Sequence, residues 1–374
     1  MALNNMNKGL IEFDQSELLR KMNELVQTAE STNLFPYAFE KSQLHADKKK
    51  FFAENLVRKV IVVTNPTNYE NVSSVIQDLK ITKMPEQELA ALCEDVNLGE
   101  KQLNSCIVIF TNNNLAKITP NKLSALVSAC TQTLFIIHDF DNHHWHEMSI
   151  KCALLSDVYA PAHLADLSII GRITPTIQLG VPCGTIQWTK QFLLERIDQL
   201  LTIQRHQAPL GKHSFYSKFN YRNTVLATIN KHYPSVGFIE KEFHGRSADE
   251  RWLKWANYPL HWIAPVFNDL PLRFFDSLVT GGIPLIPMTL KPYVDFLKIP
   301  PEYYLCYGPK DIIDVENFIT AGLKVFNKLG KEGQLARFNF ALQYFHVDAI
   351  IAKLFTSCFS QFECRGYEPS IKIQ

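Results

Sequence analysis

The chain has 374 residues, 46% of them apolar and 20% charged, with a formal net charge of +1. That is the balance of an ordinary soluble globular protein, and the length predicts two domains. A near-neutral chain whose one compact basic block is Lys48-Lys49-Lys50 argues against a nucleic-acid binder, and no run of eighteen apolar residues suits a transmembrane helix.

The N-terminus "MALNNMNKGLIEFDQSELL" lacks the charged, apolar and small-residue order of a signal peptide. Eight cysteines are scattered with no C-x-x-C pair, so neither a zinc ribbon nor a thioredoxin motif is present. They read as reduced core thiols of a cytoplasmic protein.

Residues 15–57 carry helical spacing, as in "SELLRKMNELV". Three continuous apolar runs follow, "RKVIVVTNP" (58–66), "SCIVIFTNNN" (105–114) and "QTLFIIHDFDN" (from 132), each ending in polar residues. Such runs predict strands buried on both faces of a parallel sheet. The stretches between them, "YENVSSVIQDLK" and "PNKLSALVSACT", predict helices, and shorter strands are expected at 157–163 and 174–182. Alternation of this kind indicates a doubly wound α/β sheet. After the helical "WTKQFLLERIDQLL", the polar stretch "QRHQAPLGKHSFYSKFN" reads as a linker and first loop. The pattern then resumes: helix at "YRNTVLATINKHY", strand at "PSVGFIE", helix at "SADERWLKWANY", strand at "LHWIAPV", helix at "PLRFFDSLVTGG", strand at "IPLIPM". A mainly helical tail runs from 314 to 359. Three parts are predicted: a Rossmann-like domain over 1–205 with a helical N-terminal extension, a second over 206–335, and C-terminal helices over 336–374 that pack back on the first.

The most informative stretch is "PVFNDLPLRFFDSLVTGGIPLIP" (265–287), a strand, loop, helix, Gly-Gly stop and strand. Asn268 or Asp269 can cap the helix, Pro271 fits its first turn, and Gly281-Gly282 ends it. The free amides of that first turn point beyond the carboxyl edge of the sheet, where phosphate binds readily. Arg273 and Asp276, three apart, share one side of the helix, and Asp276 lies about 9–10 Å along it from the cap. A diphosphate at the helix start and a sugar hydroxyl at Asp276 suit that separation.

This stretch resembles the second domain of GT-B glycosyltransferases, whose helix has the form R-x-F-E-A-L-A-x-G-x-P-V-I. Here the same positions read from Arg273 through Phe275, Asp276 and Leu278 to Gly281, Pro284 and Ile286. The resemblance implies a fold of two Rossmann-like domains facing a cleft and a ribose contact from Asp276. It also implies phosphate contacts from Asn268, Asp269, Leu270, Leu272 and Arg273. Many retaining members carry two glutamates eight positions apart, where this chain has Asn268 and Asp276. The first loop of the domain implies a basic group for the phosphates, with Lys212, His213 and Arg205 as candidates. Arg246, in "FHGRSADERW", sits near the expected nucleobase; Trp252, Trp255 and Trp262 read as core.

The stretch "HDFDNHHWH" (138–146) admits several readings. Asp139-Phe140-Asp141 matches the D-x-D motif of metal-dependent GT-A enzymes, and the histidines could hold zinc, although no H-E-x-x-H is present. At the end of a parallel strand, His138 and Asp139 face the crevice at the carboxyl edge. In a GT-B enzyme that edge holds the acceptor, so Asp139, His138 and His143 become candidates for taking the acceptor hydroxyl's proton. Asn142 can cap the helix that follows, and Thr64, Asn65 and Asn112 to Asn114 end neighbouring strands.

The resemblance therefore implies sugar transfer from a nucleotide-activated donor to a glycan or lipid-linked acceptor, in bacterial surface-glycan assembly. No divalent metal or other cofactor is expected, and contact with the inner face of the membrane would be peripheral. Alternatives are a transferase using a polyol-phosphate or phosphoribosyl donor, a GT-A-like enzyme using Asp139 and Asp141, and a non-catalytic binding or scaffold protein.

Overall fold

A computed structural model describes residues 34–115, 118, 120–142, 146–163, 176–239, 246–267 and 269–365. Two sheets organise them. The first has the order β2-β3-β1-β4-β5-β6 and the second β11-β10-β9-β7-β8. In the first, β1 (Lys59–Thr64), β3 (Leu79–Pro85), β4 (Cys106–Thr111), β5 (Leu134–Asp139) and β6 (Val158–Pro161) are parallel, and β2 (Val75–Ile76) adds an antiparallel edge. In the second, β7 (Pro209–His213), β8 (Val236–Phe238), β9 (Leu260–Trp262), β10 (Ile283–Pro287) and β11 (Leu305–Tyr307) are all parallel. A mixed α/β fold built on two mainly parallel sheets is what the alternating sequence pattern predicts.

The apolar runs of the first sheet divide by parity, because alternate side chains leave a strand on opposite faces. Val60, Val62, Ile107, Ile109, Leu134 and Ile136 enter one core layer, while Ile61, Val63, Val108, Phe110, Phe135 and Ile137 enter the other. The first layer is covered by the last helix of the described chain, Val347–Gln361, through Val347, Ile350, Ile351, Leu354, Phe355 and Phe359. At roughly 1.5–3 kcal/mol for each fully buried large side chain, that helix contributes on the order of 10 kcal/mol of gross hydrophobic stabilisation to the first sheet. Lys48 also seals the helix Leu34–Glu54 to this sheet. Its ammonium, fully buried, donates to both oxygens of Asp157 at 3.0 and 2.8 Å. The one basic block of the sequence therefore supplies a core ion pair.

Several expectations need correction. Residues 69–80, read as a helix, contain the hairpin β2–β3, which turns at Gln77 and Asp78, both with positive φ. The apolar spacing of Val72, Val75, Ile76 and Leu79 fits either form, and the two-residue turn decides it. The segment 174–182 makes only a single bridge, Ile177 to Tyr159, among its described residues. The stretch read as linker contains β7, a central strand between β8 and β9. Its Gly211 is required by close packing, since a Cβ there would press on Trp262.

The chain passes between the two sheets at two places. Ile186 belongs to the first core and Trp188 to the second; Phe345 belongs to the second and Val347 to the first. These crossings bind each other: Thr185 N–H donates to the Phe345 carbonyl at 2.7 Å and Val347 N–H to the Thr185 carbonyl at 3.0 Å. Loops leaving the carboxyl ends of the strands also meet. Leu270 N–H donates to His163 Nδ1 at 3.2 Å, and the Tyr293 hydroxyl donates to the Ala162 carbonyl.

The helix Leu272–Val279 and its stop explain much of the informative motif. Phe274, Phe275 and Leu278 are core residues, and Gly281 takes φ +68. Ser277 Oγ lies 2.7 Å from His261 Nδ1, while His261 Nε2 donates to the Trp255 carbonyl at 3.0 Å. Gly282 lies against that imidazole so closely that an added Cβ would overlap the ring. Gly282→Ala is therefore expected to destabilise the fold by roughly 1–3 kcal/mol, as an overpacked core does. A urea-denaturation midpoint equal to that of the wild type would contradict this packing.

Candidate functional site

In the second sheet, β7 runs to β8 on one side and to β9 on the other, so the strand order reverses between β7 and β9. A crevice at the carboxyl edge is expected at such a point. A small pocket, part of it open to solvent, lies there. Its lining is Leu210, Gly211, Lys212, Ile239, Arg246, Lys254, Trp255, Trp262 and Arg273. Four cations face this space, and among the described residues that line it there is no carboxylate. The cations feel one another: burial first, then Arg246, Lys212 and Arg273, push the Lys254 ammonium below its ordinary pKa.

Three residues singled out in the sequence, Lys212, Arg246 and Arg273, meet in this cavity. Lys254 was not among them, because on the amphipathic helix Ala248–Ala256 it reads as part of a solvated face. His213 is close by but serves inward. Its Nε2 donates to the Trp262 carbonyl at 2.9 Å, and its Nδ1 accepts from the Arg273 guanidinium. Burial, then the Arg273 and Arg222 charges, hold the His213 pKa well below the ordinary value. A neutral His213 thus aims Arg273. Burial lowers Arg273 itself to about 10, so it stays protonated near neutral pH. Arg222 braces the cavity from beneath, donating to the Ala264 carbonyl at 3.0 Å and the Ser214 carbonyl at 2.9 Å. Arg205 does not line the cavity; it donates to the Tyr258 and Thr280 carbonyls.

The helix start differs in detail from the expectation. Pro271 is the residue preceding Leu272–Val279, and no side chain caps it. The Asp269 carboxylate turns back to accept from Val266 N–H, which closes the loop after β9. Leu270 and Asp269 are buried and Leu272 is half-buried, so these side chains shape the loop. The first-turn amides keep the orientation that anions favour. Asn268 lies outside the described residues.

Asp276 does not face the cavity. It is fully buried, with Oδ1 accepting from the Thr185 hydroxyl at 2.8 Å and Oδ2 from the Gln187 amide at 2.5 Å. Those donors belong to the first crossing segment, so the ribose contact implied by resemblance is corrected to a joint between the two halves. Burial raises the Asp276 pKa to about 7, against the pull of Thr185, Gln187 and Arg273.

The first-sheet candidates are also enclosed. His138 Nε2 donates to the Val181 carbonyl at 2.8 Å, and its Nδ1 lies 2.5 Å from the Tyr69 hydroxyl. Burial lowers its pKa to about 3, so it is neutral and both nitrogens are engaged. Asp139 accepts from Tyr159 Oη at 2.8 Å and Asp141 N–H at 3.1 Å, and burial raises its pKa to about 6. As placed, neither has an open side toward an acceptor, which corrects their expected role. His143 lies outside the described residues. Asn142 binds both backbone groups of His163, at 2.8 and 2.9 Å. Asn65 and Asn114 donate to Glu86, and Asn68 donates to Thr111 at 3.2 Å. The acid that retains partial solvent access is Asp141. It accepts from Asn112 at 2.8 Å and lies near enough to Asp269 to raise that carboxyl. Asp269 titrates at about 7, raised chiefly by burial. Among the described residues, no group of three His, Cys, Asp or Glu is arranged to hold a metal ion, and no helix is long and apolar enough to cross a membrane.

The buried carboxyls set a pH dependence. Asp276, raised in the fold from 3.8 to about 7, keeps its proton where the unfolded chain has lost it. Between about pH 4 and 7 the folded state binds more protons, so stability falls as pH rises and levels off above 7. Asp139 and Asp269 act in the same direction. Asp276→Asn keeps an oxygen for Thr185 and is expected to remove one share of this decline, on the order of 1–3 kcal/mol between pH 5 and 8. Denaturation midpoints of wild type and variant that fall in parallel over that range would refute the assignment.

No protein-family model matches the sequence, and no curated protein does. Among solved structures, the chain is similar to a sucrose-phosphate synthase from Thermosynechococcus elongatus, with a TM-score of 0.47 and 13% identity over 80% of this chain and 89% of that one. It is also similar to an α,α-trehalose-phosphate synthase (UDP-forming) from Burkholderia vietnamiensis, with a TM-score of 0.46 and 9% identity over 82% of this chain and 100% of that one.

Proposed function

We propose that the protein is a glycosyltransferase that holds a nucleoside-diphosphate sugar on its second sheet and passes the sugar to an acceptor hydroxyl at the facing edge of the first. The observation that carries this reading is the convergence of Lys212, Arg246, Lys254 and Arg273 on one cavity, at the start of the helix Leu272–Val279, with no carboxylate among its described lining residues. Such a surface suits a diphosphate, whose charge grows as it leaves. In the transfer, the acceptor oxygen bonds to the anomeric carbon, the bond from that carbon to the diphosphate oxygen breaks, and the acceptor proton passes to a base. Lys212 and Arg273 stabilise the departing charge, with His213 positioning Arg273. With His138 and Asp139 enclosed, Asp141 is the carboxylate assigned to the proton, beside Asp269. A glycan or lipid-linked glycan is the acceptor class that this reading takes.

Calorimetric titration with nucleoside diphosphates tests the donor site. The wild type is expected to bind at least one of them, and Arg273→Ala or Lys212→Ala to weaken binding by about 10–100-fold, the loss of a charge-assisted contact. Failure of the wild type to bind any nucleoside diphosphate would sink the reading.

The proton assignment is tested separately. Asp141→Asn is expected to lower kcat by about 10²–10⁴ while leaving nucleoside-diphosphate affinity unchanged. Undiminished turnover in that variant would remove Asp141 from the chemistry.

A further inference from the structure

Beside the cation-lined cavity, two loops and the first turn of the helix Asn220–Asn230 expose aromatic rings that the donor site does not use. Phe215 is 62% exposed, Tyr216 46%, Tyr221 71% and Phe267 59%. Residues 214–218, immediately after β7, are all exposed, so this loop projects from the surface. The rings support one another: Phe219 meets Phe267 edge to face at 4.8 Å and Phe215 meets Phe238 at 5.3 Å. Arg222 joins the two loops from below through the Ser214 and Ala264 carbonyls. Phe267 has φ +57, an unfavourable backbone conformation for a non-glycine residue, and yet its ring stays open to water.

We propose that this aromatic face docks the protein onto a bilayer containing anionic lipid. Several large rings left exposed on neighbouring segments mark an interaction site. None of the four most exposed rings lines the cavity, so stacking within the donor site does not account for them. The stretch "KHSFYSKFNYR" (212–222) holds no carboxylate, and its Lys218 is exposed among the rings. Arg246, Lys254 and Arg273 add positive charge at the neighbouring cavity. Aromatic rings flanked by cations match the membrane interface: the rings settle at headgroup depth, and the cations are drawn to an anionic leaflet. Because the face borders the carboxyl edge of the second sheet, docking would bring a membrane-held acceptor to the cavity. The docking itself does not depend on which diphosphate the cavity binds.

Flotation of the full chain with phosphatidylcholine vesicles, with and without phosphatidylglycerol, tests this. The wild type is expected to float with the anionic vesicles, less with the neutral ones, and less again as salt rises. The double variant Phe215→Ser, Tyr221→Ser, at two exposed positions, is expected to bind anionic vesicles roughly ten-fold or more weakly, with melting temperature and nucleoside-diphosphate affinity unchanged. The inference is overturned if the wild type stays with the soluble fraction or the variant floats equally well. It is overturned as well if the variant loses nucleoside-diphosphate binding in parallel, which would assign the rings to the cavity. Flotation without any nucleoside-diphosphate binding would support docking while removing the transferase reading.

Discussion

The arrangement of the whole molecule depends on one joint, where the two crossing segments bind each other. Thr185 pairs with Phe345 and Val347, and Gly184 at φ +67 packs so closely on the Phe345 carbonyl that a side chain there would strike it. The joint exists because the helix Leu34–Glu54, through Phe52, covers one face of the first sheet only in part. The helix Val347–Gln361 supplies the rest of that cover, and the chain must return from the second sheet to do so. Once the return is fixed beside the outward crossing, the carboxyl edges of both sheets are held near each other. The His163–Leu270 and Tyr293–Ala162 bonds join loops leaving those edges.

Asp276 completes the joint and shows how the same residue type can serve two purposes. A carboxylate three residues after Arg273 on a helix reads naturally as a ligand group. Here its oxygens are taken by Thr185 and Gln187, which lie about ninety residues earlier in the chain. Nothing local to "RFFDSLV" announces those partners. His138 is a similar case, since Tyr69 and Val181 are distant in sequence and enclose it completely. Burial costs a charged group a great deal, and both residues respond by titrating toward neutrality. Polar residues at strand ends thus divide into those facing a ligand and those facing another segment, and the division is tertiary.

Other features were legible because they rest on local physics. The alternation of core layers along β1, β4 and β5 follows from uninterrupted apolar runs, and the helix stop follows from Gly281 and Gly282. Lys212, Arg246 and Arg273 were identified because each lies where a strand ends or a helix begins. β7 was missed because its five residues include Pro209, Gly211, Lys212 and His213, leaving almost no apolar signal. Its central place comes from backbone pairing with β8 and β9 and from the close approach of Trp262. Lys254 escaped notice for a related reason: a lysine on an exposed helix face has no local mark of its neighbours.

The cavity and the joint share a single helix turn, and that links ligand to architecture. Arg273 faces the cavity, Asp276 faces the crossing, and the charge of the first helps keep the second ionised. The four cations of the cavity also lie within each other's fields: burial first, and then Arg246, Lys212 and Arg273, lower the Lys254 ammonium. Protonation of Asp276 replaces a carboxylate accepting from Thr185 and Gln187 with a group that can also donate, and the Gln187 carbonyl has no hydrogen-bond partner in this arrangement. One helix turn thus carries a cavity group in Arg273 and a joint group in Asp276, whose carboxyl burial raises to about 7, so its proton is exchanged at the joint near neutral pH.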